Sequence, residues 1–274
     1  MCTLTVVRDA DRLLVTMNRD DVAEREEAPP ALWPVAEPVF VAPRDLQAGG
    51  TWIGVNRYGV IACLLNRYDD APTGRTSRGN IVIEAMRGAT IKNACETLTT
   101  LDHSAYSPFS CLLIAMSGVV RLDWTGSSLR RQEFSGANDL MTTSSSWRFD
   151  DVKAEREALF EEIWSWRRNA ADKVATFHTR RIRAHDAWAP MMLRPKSRTK
   201  SITQIELTPD GAEMRYWTRE TAIINELRTP ESCIHIQTSA FAAPSDTNTA
   251  HHTGRNSITG CKVTADSYPA YPTT

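Results

Sequence analysis

The stretch Met1-Cys2-Thr3-Leu4-Thr5-Val6-Val7, answered by Leu13-Leu14-Val15-Thr16-Met17 and closed by Asn18-Arg19-Asp20-Asp21, decides the fold. Both runs are rich in β-branched residues, and the polar segment 8–12 between them reads as a turn. The pair therefore predicts an antiparallel hairpin. Its return strand brings the charged tetrapeptide 18–21 back beside Cys2. Gly49-Gly50 opens a second strand pair, 51–55 and 60–65, which ends at Asn66. The Pro- and acid-rich segment 24–43 between the two hairpins reads as a surface loop.

Helices are predicted over 77–87 and 90–101, the second with Thr90 as N-cap and an apolar face of Ile91, Cys95, Leu98 and Leu101. A strand meander is expected over 111–115, 119–124 and 129–134, followed by 139–143. A long charged helical segment spans 152–183. Two last strands, 201–207 and 212–218, turn at Pro209-Asp210-Gly211. Grouped strands and grouped helices predict an α+β protein with antiparallel sheets and outer helices, not alternating βαβ units. One domain is expected over 1–242. A polar, loosely packed C-terminal tail is expected over 243–274.

Composition narrows the function. Lys and Arg total 32 against 33 Asp and Glu, so a strong electrostatic case for nucleic acid is missing. Six widely spaced cysteines with no CxxC pair predict reduced thiols, a cytoplasmic setting and no metal site. No stretch reads as a membrane span. No cofactor is called for, and the sequence is silent on oligomeric state. His251-His252 and His185-Asp186 lack the further ligands or the placed nucleophile that metal or dyad chemistry would need.

Cys2 is the sharpest chemical feature. Removal of Met1 would leave an α-amine and a thiol on one residue, with ordinary pKa values of about 8 and about 8.5. Such an amine acts as a base near neutral pH, and the thiolate is a strong nucleophile. An arginine at the end of the return strand would favour the thiolate, and an aspartate there would orient the amine.

Met1-Cys2-Thr3, Asn18-Arg19-Asp20-Asp21, Gly49-Gly50-Thr51-Trp52-Ile53-Gly54 and the run 59–66 together resemble the NRDE family, in that order and at similar spacing. Asp21 stands where the family name has glutamate. The resemblance is good over about residues 1–88 and traceable to about residue 220. This family includes the animal transport-and-Golgi-organisation proteins, and it is similar to the cysteine N-terminal-nucleophile (Ntn) hydrolases that cleave bile-salt amides and penicillin V.

The resemblance implies a four-layer αββα sandwich and a site. Cys2 would be the nucleophile, with Arg19 and Asp20 as its partners and Asp21 as a rival for Asp20. Asn18 belongs to the same tetrapeptide and is counted as a binding residue. Asn66 would donate to the oxyanion, and Arg198 would be the second arginine of the site. The family's downstream asparagine is missing. Asn138 is near that place, and Thr143 or Ser144 would substitute as a weaker donor. Two functions follow from the resemblance: hydrolysis of a non-peptide amide in a small molecule, or non-catalytic binding of an acyl, acyl-CoA or haem ligand. A Cys2 that is buried or remote from Asn66 would sink the hydrolase reading. A carrier would need a deep apolar cleft.

Overall fold

The computed structural model describes residues 1–9, 11–33, 38–134, 139–182 and 185–238. Strand β1 (Cys2–Asp9) pairs antiparallel with β2 (Arg12–Val22), as the two β-branched runs and the polar turn between them predict, with Cys2 opposite Arg19. Both strands are covered on both faces. Cys2, Leu4, Val6, Leu13, Val15 and Met17 point into one core. Val7 and Leu14 point the other way, against Val174. Strands buried on two sides belong to the middle layers of a stack.

The first sheet has the order β10-β1-β2-β11-β12-β13, with β10 (Leu140–Ser144), β11 (Ser197–Thr208), β12 (Gly211–Thr218) and β13 (Ser232–Ile236). The second runs β3-β4-β5-β6-β7-β8-β9 in chain order, from β3 (Glu27–Leu32) and β4 (Phe40–Asp45) through β5 (Ile53–Asn56), β6 (Ile61–Asn66) and β7 (Phe109–Ala115) to β8 (Gly118–Trp124) and β9 (Leu129–Phe134). Their inner faces share the core that holds Leu4, Met17, Ile53, Ile61, Leu112 and Ile205. Helices α1 (Gly79–Ala85) and α2 (Ile91–Thr99) cover the outside of the second sheet. Helices α3 (Phe149–Trp164), α4 (Ala170–Thr179) and α5 (Arg219–Asn225) cover the outside of the first. The result is the four-layer αββα sandwich. Among the described residues, no helix is long and apolar enough to cross a membrane.

Some expectations need correction. The segment 24–43 is not simply a loop: most of it forms β3 and the start of β4. Pro29 and Pro30 sit in β3, an edge strand, at the register shift between Ala28 and Ala31, where the regular ladder with β4 is interrupted and two missing N–H groups are tolerated. The helical segment 152–183 is two helices, broken after Trp164 and restarted at Asn169, whose side chain caps α4. The strand at 139–143 does not extend the meander. It crosses to the first sheet and pairs with β1, placing Ser144 opposite Cys2. Thr90 does cap α2, accepting from the Asn93 N–H. The expected tail, 243–274, lies outside the described residues, as does Asn138.

Gly50 and Gly79 set a close approach of the β5 lead-in to the start of α1. A Cβ on Gly50 would lie 2.7 Å from the Gly79 Cα, so only a bare backbone fits.

Candidate active site

Strand alternation divides the tetrapeptide between two faces. Arg19, two residues after Met17, points between the sheets and stacks over Trp52 at 4.1 Å. Its guanidinium pairs with Glu27, with Asp45 at 3.1 Å and with Asp21 at 3.3 Å. Asn18 and Asp20 point outward, towards the helices. Asn18 is fully buried and donates to the carbonyls of His178 and Pro190, so it anchors the chain after α4. It lines neither of the two pockets near Cys2.

Asp20 is buried. It accepts from the Thr199 hydroxyl at 2.6 Å, and its other oxygen has no hydrogen-bond partner. Burial raises its pKa, against the opposing pull of Arg156, the N-terminus and the Thr199 hydroxyl. Arg156, on α3, stands 3.8 Å from that oxygen. It is 1% exposed and donates to Thr3, Thr143 and the carbonyls of Trp188 and Ala189. Burial pulls its pKa down to about 10.

Cys2, Arg19, Asp20, Asp21 and Asn66 all line one pocket of about 580 Å³. Asn66 ends β6 half-buried. Its carboxamide makes no hydrogen bond to any described residue, so it is free to serve a ligand. Thr143 and Ser144 line a neighbouring pocket of about 310 Å³ that shares Asn66. Thr143 is committed: it donates to the Cys2 carbonyl at 3.2 Å and accepts from Arg156. Ser144 accepts from the Cys2 N–H at 3.1 Å. It therefore holds the Cys2 nitrogen and is not aimed at an oxyanion.

Arg198 is elsewhere. It pairs across β11 with Asp21 in register, but lines neither pocket, and its Nε is buried without a partner. Its charge bears on Arg219. The arginines close to the N-terminus are instead Arg156 and Arg194. Arg194 precedes β11 and donates to Met1 Sδ at 2.9 Å and to Ser145 Oγ at 3.1 Å. Sequence reading missed both, along with Glu27, Asp45 and Thr199. Arg156, Arg194 and Thr199 carry no local signal, because their partners at Thr3, Met1 and Asp20 lie more than a hundred residues away. Asp45 and Glu27, 26 and 8 residues from Arg19, belong to no motif.

With Met1 present, Cys2 is 6% exposed. Burial raises its thiol pKa, partly opposed by the N-terminal ammonium, with Arg19 a minor help. The expectation that Arg19 drives thiolate formation is thus weakened, since three carboxylates already neutralise it. The Met1 amine donates to the Asp20 carbonyl at 2.9 Å. Burial lowers its pKa, but Cys2, Tyr68, Asp20 and Asp21 together outweigh that and leave it raised.

Four layers with a cysteine in the first central strand define the Ntn-hydrolase type of fold. The chain belongs to the Transport and Golgi organisation 2 family, whose profile matches residues 1–231. No curated protein matches the chain. Among solved structures, the C2A mutant of conjugated bile acid hydrolase from Clostridium perfringens is similar in fold, with a TM-score of 0.53 at 9% identity, covering 96% of this chain and 97% of that one. A Caenorhabditis elegans orthologue of N-acylethanolamine-hydrolyzing acid amidase scores 0.49 at 13% identity, over 74% of this chain and 92% of its own. Penicillin V acylase from Agrobacterium tumefaciens scores 0.48 at 12% identity, over 86% of each.

Proposed function

We propose that the chain, once Met1 is removed, hydrolyses a carbon–nitrogen bond in a small non-peptide amide, with Cys2 as nucleophile. One observation carries the reading: Cys2 and an uncommitted Asn66 carboxamide line the same pocket, one residue from the chain's N-terminus. Cys2 is buried while Met1 is in place, the outcome set against hydrolysis above. The reading therefore requires that loss of Met1 uncover the sulfur, and only then is the Cys2 nitrogen an amine that can act as base.

The freed α-amine takes the thiol proton, and the sulfur attacks the carbonyl carbon. Negative charge gathers on the carbonyl oxygen, where the Asn66 N–H groups receive it. As the C–N bond breaks, the α-ammonium returns its proton to the departing nitrogen, and the amine leaves an acyl-thioester on Cys2. Water, giving a proton to the α-amine, then attacks the thioester, releasing a carboxylic acid and restoring the thiol. Ser144 holds the α-amine, and Asp20 supplies a carboxylate behind it. Arg19, bound by Glu27, Asp45 and Asp21, fixes the pocket wall.

The alternative, a carrier of haem, acyl-CoA or another acyl ligand, would want an apolar cleft. The pocket around Cys2 is instead walled by Arg19, Asp21, Arg25, Asp45 and Arg78, which favours a polar substrate. The test is a panel of N-acyl amides incubated with the processed chain, with release of primary amine as the readout. Release that disappears in Cys2→Ala is expected. No release from any amide, or release that survives Cys2→Ala, rejects the reading.

A further inference from the structure

Met1 continues β1 past Cys2, its carbonyl accepting from the Asp20 N–H at 2.8 Å. Its side chain meets two donors at one atom. Arg194 Nη1 donates to Met1 Sδ at 2.9 Å, and the Ser146 hydroxyl reaches the same sulfur at 3.5 Å. A thioether sulfur is a weak acceptor, a poor match for a guanidinium.

Arg194 has no carboxylate within ion-pair distance among the described residues. Its other partners are the Ala187 carbonyl, Ser145 Oγ and the face of Trp147, 5.2 Å away. Arg156 and Arg194 both act on the one buried carboxylate of Asp20, so two guanidinium charges share a single anion there.

Geometry gives this place a role. In the proposed reaction the Cys2 α-amine protonates the departing nitrogen, so the amine half of the substrate lies beside it. Met1 is bonded to that same nitrogen, and the space it leaves begins there. We propose that removal of Met1 opens an anion-binding subsite for the amine half of the substrate, with Arg194 and Ser146 as its donors. The favoured substrates are then amides whose amine half carries a carboxylate, sulfonate or phosphate. This inference rests on the hydrolase reading of Cys2 and makes Arg194 a specificity residue.

Binding can be tested apart from catalysis. The Cys2→Ala chain also has a small residue after Met1, and its mass reports whether Met1 is gone. Calorimetry would compare N-phenylacetylglycine with the neutral N-phenylacetylglycinamide. We expect the processed chain to bind the anion about 10- to 100-fold tighter, as for a charge-assisted hydrogen bond. That preference should vanish in Arg194→Gln, persist in part in Arg194→Lys, and be missing when Met1 is retained by inhibiting methionine aminopeptidase. Equal affinity for the two probes, no binding of either, or a preference that survives Arg194→Gln overturns the subsite. Turnover by wild type is scored separately. Selective binding without turnover supports the subsite and rejects catalysis, whereas turnover with no preference does the reverse.

Discussion

The Cys2 N–H donates to the Ser144 hydroxyl at 3.1 Å, across a pairing between residues 142 positions apart. In the processed chain this contact would orient the α-amine that moves the proton. A neutral hydrogen bond is worth about 1 kcal/mol, so Ser144→Ala should lower kcat about fivefold, with Ser144→Thr restoring most of it. The pH–rate profile should shift as well. A fall in Tm with an unchanged pH–rate profile would mark Ser144 as merely structural.

The Asn66 carboxamide makes no hydrogen bond to any described residue, so truncating it should cost little stability. As the oxyanion donor it should cost much rate. Asn66→Ala is expected to reduce kcat by about 10²- to 10³-fold, with KM and Tm nearly unchanged. Steady-state kinetics and a thermal melt decide this. A kcat within a fewfold of wild type would remove Asn66 from the mechanism.

Arg156 ties α3 to β1, β10 and the Asp20 carboxylate from a fully buried position. Breaking a buried charge pair by removing one partner typically costs about 3–5 kcal/mol. Arg156→Met should therefore destabilise the fold by that order. Asp20→Asn in the same chain should recover part of the loss, because the carboxylate is no longer left uncompensated. Urea melts of the four proteins in the cycle measure the coupling. Strictly additive losses would show that the two side chains do not interact.

His178 bridges Thr5 and Asn18 in the core, and burial followed by the Arg156 charge pushes its pKa down to about 3. The unfolded chain binds this proton at an ordinary pKa of about 6.5. Between those values the unfolded state holds more protons, so stability present above pH 6.5 is lost as pH falls. The slope is about 1.4 kcal/mol per pH unit from this group. Denaturant melts from pH 7 to pH 5 should show it, and His178→Asn should flatten it. Equal slopes in the two proteins would contradict the assignment.

Much of the architecture was legible because it is written locally. Two β-branched runs, 3–7 and 13–17, on either side of a polar turn announce the hairpin, and Asn66 follows a fully apolar strand. The tetrapeptide was legible as a unit, but its division between faces follows only from the register of Cys2 with Arg19. The edge strand with Pro29 and Pro30 was hidden because proline normally argues against a strand. The place of β10 was hidden too. Sequential strands usually stay neighbours, and here the chain crosses to the other sheet to bring Ser144 to Cys2. Arg156 and Arg194 had no readable signal, since their partners at Thr3 and Met1 lie more than a hundred residues away. Arg198 carried the motif, but lies off the pocket.

The most direct test of the central claim is alkylation of the cysteines across a pH series, mapped peptide by peptide, with the mass of the N-terminal peptide read in the same run. Met1 should be absent and Cys2 should react first, at about pH 6–7, ahead of the partly exposed Cys233 and the buried Cys63, Cys95 and Cys111. Retention of Met1, or a Cys2 that reacts no faster than Cys233, would contradict the claim.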